Sequence, residues 1–239
     1  MSSVASAICM PTREGQLAWL GSGVGYTAAW RLQKRLAAQR ADGLAPDTLL
    51  LLEHASVYTE GRRAVPEHVL AELGAPLVEA DRGGQTTYHG PGQLVGYPIV
   101  SLHEAGLGPR GYVVRLQEAI VEGLATLGVE AWHEPGVTAV WSRAGKIAAI
   151  GVKVARGVTL HGFALNVSTD LAAFDPIVPC GIHGRPVSSI ASTLGASRAD
   201  EVPAMTHVRR VLADALGERL GLAWEEVPAA GLSADSVVE

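Results

Sequence analysis

A glycine-rich stretch from Arg82 to Gln93 carries the densest group of chemically active side chains in the sequence. It reads Arg-Gly-Gly-Gln-Thr-Thr-Tyr-His-Gly-Pro-Gly-Gln, with four glycines among twelve residues. Glycine at this density costs backbone entropy and is kept where the backbone must come close to another group. Exposed backbone N–H groups in such a loop can bind an anion or an acyl carbonyl oxygen. A hairpin tip with structural glycines does not need Arg, Tyr, His and Gln together, so we predict a substrate-binding loop.

Cys180 is a second candidate for chemistry because it stands in a turn between Pro179 and Gly181. Structural cysteines usually lie on the core faces of helices and strands, so this position is compatible with a reactive thiol, but taken alone it leaves an inert cysteine as the simpler interpretation. Lys146 is the first residue of a predicted apolar strand. A lysine in this position normally extends its ammonium group to water, so the residue type alone does not predict a catalytic role. Lys153 follows on the same strand at an odd spacing, so the two lysines face opposite sides unless a bulge intervenes.

A third stretch, His161 to Asn166, has small residues on one face of a predicted strand. Gly162 and Ala164 are two residues apart and therefore share that face. Small residues in this position leave room for a guest molecule, and they equally allow tight packing against a helix. The residues alone leave both interpretations open.

Composition limits the classes of protein to consider. The 239 residues are 48% hydrophobic and 18% charged, which is typical of a globular chain with a substantial core. The net charge of −5 gives no support to nucleic-acid binding, and no apolar run is long enough for a transmembrane helix. The first residues lack the features of a secretory signal, and the two cysteines, Cys9 and Cys180, predict a cytoplasmic protein without a disulfide framework. No zinc-binding spacing occurs, so we expect no metal.

The predicted elements form one α+β domain with a mixed, mostly antiparallel sheet flanked by helices. Residues 1–24 show no clear pattern. Helices are predicted over 26–40, 66–73, 112–127 and 206–220, with short ones at 171–174 and 188–194. Strands are predicted over 48–53, 76–80, 94–100, 138–142, 146–155 and 158–167, and a loop over 54–63. We expect a flexible leader at 1–14, a folded catalytic domain at 15–225 and a tail at 226–239.

Five motifs, in order along the chain, match one family. They are Val57-Tyr-Thr-Glu-Gly61, Arg82 to Gln93, Lys146-Ile-Ala-Ala-Ile-Gly151, His161-Gly-Phe-Ala-Leu-Asn166 and Pro179-Cys-Gly-Ile182. On these motifs the chain closely resembles the lipoyl(octanoyl) transferases, also called octanoyl-[acyl carrier protein]:protein N-octanoyltransferases, over roughly residues 15–225. The resemblance implies a fold like the catalytic domain of the biotin and lipoate protein ligases.

The resemblance also implies an activity. Enzymes of this family take an octanoyl group from acyl carrier protein and place it on a lysine of a lipoyl domain, the first step of endogenous protein lipoylation. The octanoyl group passes through a thioester on the motif cysteine, here Cys180, and the motif lysine, here Lys146, lowers the thiol pKa and transfers protons. The implied donor is octanoyl-acyl carrier protein. The implied acceptors are lipoyl domains of 2-oxoacid dehydrogenase E2 subunits and the glycine cleavage H protein, and no cofactor is implied.

The same resemblance implies a substrate pocket. It is lined by Arg82, Gly83, Gly84, Gln85, Thr86, Thr87, Tyr88 and His89, by Ala149, Ile150 and Gly151, and by Gly162, Phe163 and Ala164. With an acyl chain to hold, the small residues of the third stretch favour a pocket over helix packing. Acyl carrier proteins are acidic, so docking requires a basic patch. The candidates for that patch are Arg62, Arg63, Arg82, Arg110 and Arg115.

Two other functions fit parts of the sequence. An ATP-dependent lipoate or biotin ligase would share the fold, but it needs a phosphate-binding glycine loop and no nucleophilic cysteine. A non-catalytic module that binds acylated proteins would leave Cys180 inert. The presence of both Lys146 and Cys180 in matching motifs argues against this second alternative.

Overall fold

The computed structural model describes residues 13–178, 184–195 and 201–232 of the chain, so Cys9 and Cys180 lie outside the described residues. The helices are α1 (Tyr26–Ala41), α2 (Pro109–Thr126), α3 (Ile190–Leu194), α4 (Met205–Leu220) and α5 (Ala229–Leu232). The strands are β1 (Arg13–Trp19), β2 (Asp47–Leu52), β3 (Val57–Glu60), β4 (Leu77–Glu79), β5 (Thr87–His89), β6 (Gln93–Ile99), β7 (Ala131–Trp132), β8 (Ala139–Ser142), β9 (Gly145–Ala155), β10 (Val158–Asn166) and β11 (Leu222–Glu226).

Two sheets organise these strands. The larger one has eight strands in the order β11-β1-β2-β6-β10-β9-β8-β7. β1 runs parallel to both of its neighbours, and the other pairings in this sheet are antiparallel. The sheet is therefore mixed and mostly antiparallel, which confirms the prediction. β4, β3 and β5 form the smaller, three-stranded sheet.

Helices cover both faces of the large sheet. α2 and α4 pack on one face, where Leu49 and Leu51 of β2 belong to the core. α1 packs on the other face, with Leu50 and Leu52. Alternate residues of a strand point to opposite faces, so an unbroken run of four leucines is what a strand buried on both sides requires. The predicted single α+β domain with flanking helices is confirmed.

β1 and β11 form where the sequence analysis predicts no strand. Polar residues and Gly15 give β1 a weak strand propensity, and pairing between β2 and β11 defines it instead. The Trp224 ring of β11 packs against Gly15, so closely that a Cβ there would lie 2.7 Å from a ring carbon. Arg13 and Glu14, assigned to the leader, are residues of β1. Val227, assigned to the tail, donates its N–H to the carbonyl of Leu17.

The helix predicted over residues 66–73 is wrong beyond its first turn. Only Pro66–His68 is helical, as a 3-10 turn. Val69 instead forms a bridge with Ile177, and the N–H of Leu70 donates to the carbonyl of Pro176. Backbone groups that bond to a distant segment in this way are no longer available to a helix. β3 and β5 arise in stretches predicted as loops for a similar reason, because each is the other's partner.

Asp47, at the start of β2, joins several elements through its buried carboxylate. It pairs with Arg13 of β1 and with Arg40 of α1, and it accepts the N–H of Ser101 at 2.9 Å. Removing one partner of a buried ion pair leaves the others uncompensated. We therefore expect Asp47→Ala to lower the unfolding free energy by about 3 kcal/mol, measured by urea denaturation.

A matched control is Asp42→Ala, because Asp42 pairs with Arg156 at the surface. Exposed ion pairs contribute little, so this variant should unfold at nearly the urea concentration of the unchanged protein. Equal losses in the two variants would contradict the role given to Asp47.

Candidate functional site

A cavity of about 200 Å³ lies between β9, β10 and β6 of the large sheet and the glycine-rich loop. Its lining includes most of the residues proposed from the sequence: Arg82, Gly83, Gly84, Gln85, Thr87, His89, Lys146, Ala149, Ile150, Gly151, Gly162, Phe163 and Ala164. Thr86 and Tyr88 do not line it. Along a strand such as β5, alternate side chains point away from each other, and Tyr88 packs with Tyr58 and Phe174 instead.

The sequence analysis missed several residues of the cavity wall. They are Tyr26, Arg63, Val95, Tyr97, Gly136, Val137, Thr138 and His161. Val95 and Tyr97 are two residues apart on β6 and therefore share a face of that strand. The apolar pattern of β6 fits a cavity wall and a core position equally well, so it did not single them out. Nothing local in the sequence indicates that the start of α1 or the loop at 136–138 reaches the same cavity.

A β-bulge turns Lys146 toward the cavity. Lys146 pairs with Trp141 of β8, whereas Ala148 pairs with Val140, so Ile147 is an extra residue in β9. Ile147 and Ala148 both lie in the core beneath α2 and α4. The bulge therefore puts Lys146 on the same face as Ala149, which resolves the odd spacing between Lys146 and Lys153 noted in the sequence.

The backbone on both sides of Lys146 is fixed by the chain segment that follows Cys180. Its N–H donates to the carbonyl of Pro186 at 2.9 Å, and its carbonyl accepts the N–H of Ser188 at 2.8 Å. Lys146 is 5% exposed. Among the described residues, none forms a hydrogen bond or ion pair with its ammonium group. The ammonium thus stands beside the cavity without a fixed counter-charge in the described part of the chain.

A small extension of the cavity adjoins Lys146. Phe174 and Val187, which lie on either side of Cys180 in the sequence, both line this extension. Val178, the last described residue before Cys180, donates its N–H to the carbonyl of His68 at 2.8 Å. Both ends of the Cys180 segment are therefore anchored near Lys146, while Cys180 itself lies outside the described residues.

Arg82 fixes the glycine-rich loop and is not part of a docking surface. It is 6% exposed, and Nη2 donates to the carbonyl and to the hydroxyl of Thr59 at 2.7 Å. The N–H of Gly83 donates to the carbonyl of Val152 on β9 at 3.0 Å. A Cβ at Gly151 would lie 3.0 Å from the Gly83 carbonyl oxygen, so both glycines are needed for the loop to cover the strand this closely. The loop forms the roof of the cavity.

His89 is held as a neutral ring at the cavity. Gln93 donates its amide N–H to Tyr88 and to Asn166, so its Oε1 accepts from Nδ1 of His89 at 2.7 Å. This partner assigns the proton to Nδ1 and leaves Nε2 as an acceptor. Burial lowers the pKa of His89 well below its ordinary value.

Two further buried histidines lie near the cavity: His161 lines it, and His54 contacts the cavity residue Tyr97. His54 donates from Nδ1 to the carbonyl of Val24 and accepts the Tyr97 hydroxyl at Nε2, and burial lowers its pKa to about 4. His161 donates from Nε2 to Asp81 at 2.8 Å. Burial lowers the pKa of His161 despite this carboxylate. The three buried histidines are therefore neutral at pH 7.

These histidines predict how stability depends on pH. Their pKa values are lower in the folded chain than the unfolded value of about 6.5, so the unfolded chain binds more protons below that pH. The free energy of unfolding should therefore have its full value above about pH 6.5 and should decrease as the pH drops toward about 4. Urea denaturation across this range measures the slope. His54→Asn should flatten it, and an unchanged slope in that variant would exclude His54 as a source.

Gly162 is required by packing, whereas Ala164 leaves space. A Cβ at Gly162 would lie 2.1 Å from the carbonyl oxygen of Gly96 on β6. Ile150 and Phe163 line the cavity although their side chains belong to the core on the opposite face, so they contribute backbone. The third stretch thus combines a residue that leaves space, Ala164, with a glycine that packs tightly against the neighbouring strand and not against a helix.

The described residues offer few other sites. None of their helices is long and apolar enough to cross a membrane. Within the same ranges, no three His, Cys, Asp or Glu side chains lie together as a metal site would require.

Comparison with known proteins shows which family the chain is similar to. The lipoyl protein ligase A/B catalytic domain matches residues 25–217. The octanoyltransferase of Chloroflexus aurantiacus is 49% identical over 208 residues, which are 83% of this chain and 91% of that protein. The octanoyltransferase of Mycobacterium leprae is 47% identical over 218 residues, 86% and 90% of the two chains.

Solved structures show the same fold at lower identity. A lipoate-protein ligase A bound with ATP is 21% identical with a TM-score of 0.72, covering 92% of each chain. A bi-partite lipoate protein ligase from Thermoplasma acidophilum is 20% identical with a TM-score of 0.66, covering 92% and 90%. At this identity the likeness extends to the fold alone.

Proposed function

We propose that this chain, which belongs to the lipoyl protein ligase A/B catalytic domain family and is an octanoyltransferase, moves octanoyl groups from acyl carrier protein to lipoyl-domain lysines through a thioester on Cys180. The acceptors in the proposal are lipoyl domains of 2-oxoacid dehydrogenase E2 subunits and the glycine cleavage H protein. The reaction takes place in the cytoplasm and is the first step of endogenous lipoylation.

One observation carries the proposal: the Lys146 ammonium, which has no partner among the described residues, lies at the cavity, whose floor is mainly apolar. Val95, Ala149 and Ala164 provide that floor, and small side chains leave a slot rather than a wide pocket. A volume of about 200 Å³ is below the ~300–1,000 Å³ of sites for drug-sized ligands, so it suits a single flexible chain. The anchored ends of the Cys180 segment support the thiol's access to the same end.

The proposed chemistry needs no cofactor. The Cys180 thiolate attacks the thioester carbonyl of the donor and a tetrahedral intermediate forms. The carrier thiolate then leaves and takes a proton from the Lys146 ammonium, which becomes neutral. One thioester replaces another, so this exchange is nearly isoenergetic. In the second half, the neutral amine of the acceptor lysine attacks the Cys180 thioester and the Cys180 thiolate leaves. Lys146, when neutral, accepts the amine's proton. Backbone N–H groups of the glycine-rich loop are candidates to stabilise the oxyanion.

The basic patch for the donor is reduced to two residues near the cavity. Arg62 and Arg63 are exposed, and Arg63 lines the cavity mouth. Arg110 and Arg115 lie on α2, which packs on the opposite face of the sheet, and Arg115 is paired with Glu118. The proposal therefore brings an acidic donor to the Arg62 and Arg63 side.

Mass spectrometry after incubation with octanoyl-acyl carrier protein tests the proposal. We expect one octanoyl group on the peptide that contains Cys180, and we expect it to move to a lipoyl domain added afterwards. Failure to form this adduct, with binding retained, would favour the non-catalytic alternative. ATP–pyrophosphate exchange would instead favour a ligase.

The glycine-rich loop gives a sharper prediction. Gly84 has a φ of +90°, and Gly157, in the turn between β9 and β10, has a φ of +77°. A side chain in this region of φ costs about 1–2 kcal/mol at either position. We expect Gly84→Ala and Gly157→Ala to lose similar stability, while only Gly84→Ala loses octanoyl transfer, by about tenfold or more. Equal transfer rates in the two variants would make the loop merely structural.

A further inference from the structure

We propose that His161 ends the acyl slot and sets the longest acyl chain that this enzyme transfers efficiently. This inference rests on the proposed acyl transfer and assigns to it a residue that determines specificity. It follows from the order of residues along the slot, from the backbone of His161 and from the ion pair behind its ring.

Strand register gives the direction and length of the slot. Because of the bulge, Ala149 is two residue steps from Lys146, and Gly151 is two steps further. At about 3.3 Å per step the slot runs for roughly 13 Å from the reactive end, which is comparable with an extended octanoyl chain. Gly151 pairs with Gly162 of β10, and His161 lies one step beyond that pair. Past this level, α1 packs directly on Leu160, and the cavity ends.

The backbone of His161 is held in an unusual conformation that turns its side chain into the slot. Its φ is +59°, in the left-handed region that few residues other than glycine adopt. Its N–H donates to Oε1 of Gln33 in α1 at 2.8 Å. Such strain persists only where the surroundings over-determine it, and it concentrates at functional sites. The His161 ring is 1% exposed and lines the cavity.

Neighbouring rings hold the His161 imidazole in place. The ring of Tyr97 meets it edge-on with 6.4 Å between centroids, and the centroid of the Trp30 ring, from α1, lies 6.0 Å away. Behind the ring, Asp81 accepts from Nε2 and also pairs with Lys153 of β9. Burial alone would raise the pKa of Asp81, but its hydrogen bonds from Lys153 and His161 outweigh burial and lower it.

This arrangement makes a stop for an apolar chain. An additional methylene group would have to displace the imidazole, and that would break its hydrogen bond to a carboxylate. Before this point the floor of the slot is formed by Val95, Ala149 and Ala164, so shorter chains meet no such obstacle along it. A rigid stop backed by a charge pair therefore separates octanoyl groups from longer ones by exclusion.

The test compares hexanoyl-, octanoyl-, decanoyl- and dodecanoyl-acyl carrier protein as donors for the unchanged enzyme and for His161→Gly. Glycine adopts a φ of this kind without strain, so the backbone is retained while the ring is removed. We expect the ratio of kcat/KM for decanoyl to that for octanoyl to rise by about tenfold or more in His161→Gly. His161→Asn, which also tolerates this φ and is smaller, should raise the ratio in the same direction.

Leu160→Ala is the matched control, because Leu160 is buried in the same strand but packs against α1 outside the cavity. It should lose stability and keep the chain-length ratio. A ratio in His161→Gly and His161→Asn that stays within about twofold of the unchanged enzyme would overturn the assignment, whatever the absolute rates. Absence of transfer from every donor by the unchanged enzyme would instead refute the proposed function itself.

Discussion

Cys180→Ser should reduce octanoyl transfer to background, a loss of roughly a thousandfold or more, and should eliminate the octanoyl adduct. A serine hydroxyl is far less ionised than a thiol beside the same ammonium group, so it cannot supply the nucleophile at neutral pH. The measurement is transfer to a purified lipoyl domain, with the adduct followed in parallel by mass spectrometry. Turnover at the normal rate in Cys180→Ser would refute the covalent mechanism.

Cys9→Ser provides the matched control for the thiol. Cys9 has no motif around it, and we expect this variant to form the adduct and transfer octanoyl at the unchanged rate. A large loss of transfer in Cys9→Ser, with activity kept in Cys180→Ser, would mean that the reactive thiol had been assigned to the wrong cysteine.

Lys146 gives the second large effect, and two substitutions separate its roles. Arginine keeps a positive charge but stays protonated at every accessible pH, so it cannot accept the proton of the attacking amine. Lys146→Arg should therefore retain part of the thiol's alkylation at neutral pH yet lose transfer by roughly a hundredfold or more. Lys146→Ala should lose both, with the pKa of the Cys180 thiol rising toward about 8.5. Iodoacetamide labelling of Cys180 against pH, beside transfer assays, measures both quantities.

If Lys146→Arg transferred octanoyl groups at the native rate, Lys146 would not be the residue that accepts the proton. Lys153 is then a poor replacement, because its ammonium is paired with Asp81 at the far end of the slot. Lys153→Arg is therefore the informative companion variant. It should keep the pair with Asp81 and leave proton transfer intact.

The glycine-rich loop could be predicted from the sequence because its signal is local, whereas the role of Lys146 was implied only by the resemblance to a family. Glycine density marks backbone that must approach something closely, and the structure shows where: Gly83 bonds to β9 and Gly151 leaves room for it. The orientation of Lys146 was not accessible. It depends on an extra residue, Ile147, relative to β8, and a bulge of this kind is defined by two strands together.

His161 shows a different limit of sequence reasoning. The alternation of small and large residues from 161 to 166 predicts a regular strand, yet His161 departs from it with a positive φ supported by Gln33 on another element. Thr86 and Tyr88 were assigned to the pocket with their neighbours because a motif does not reveal which face each residue presents. For Tyr88 the face depends on β5 being a strand, and β5 exists only through its pairing with β3.

The place of β1 between β2 and β11 affects how the domain is completed during synthesis. β11 leaves the ribosome after all the other strands of the large sheet, so β1 first has only β2 as a partner. Until Leu222–Glu226 emerge, the other edge of β1 keeps its backbone groups unpaired, and Gly15 is not covered by Trp224. Pairing between segments so distant in sequence is slow to form. A nascent chain halted before β11 would therefore expose a sheet edge, and this is the form that chaperones would need to protect from aggregation.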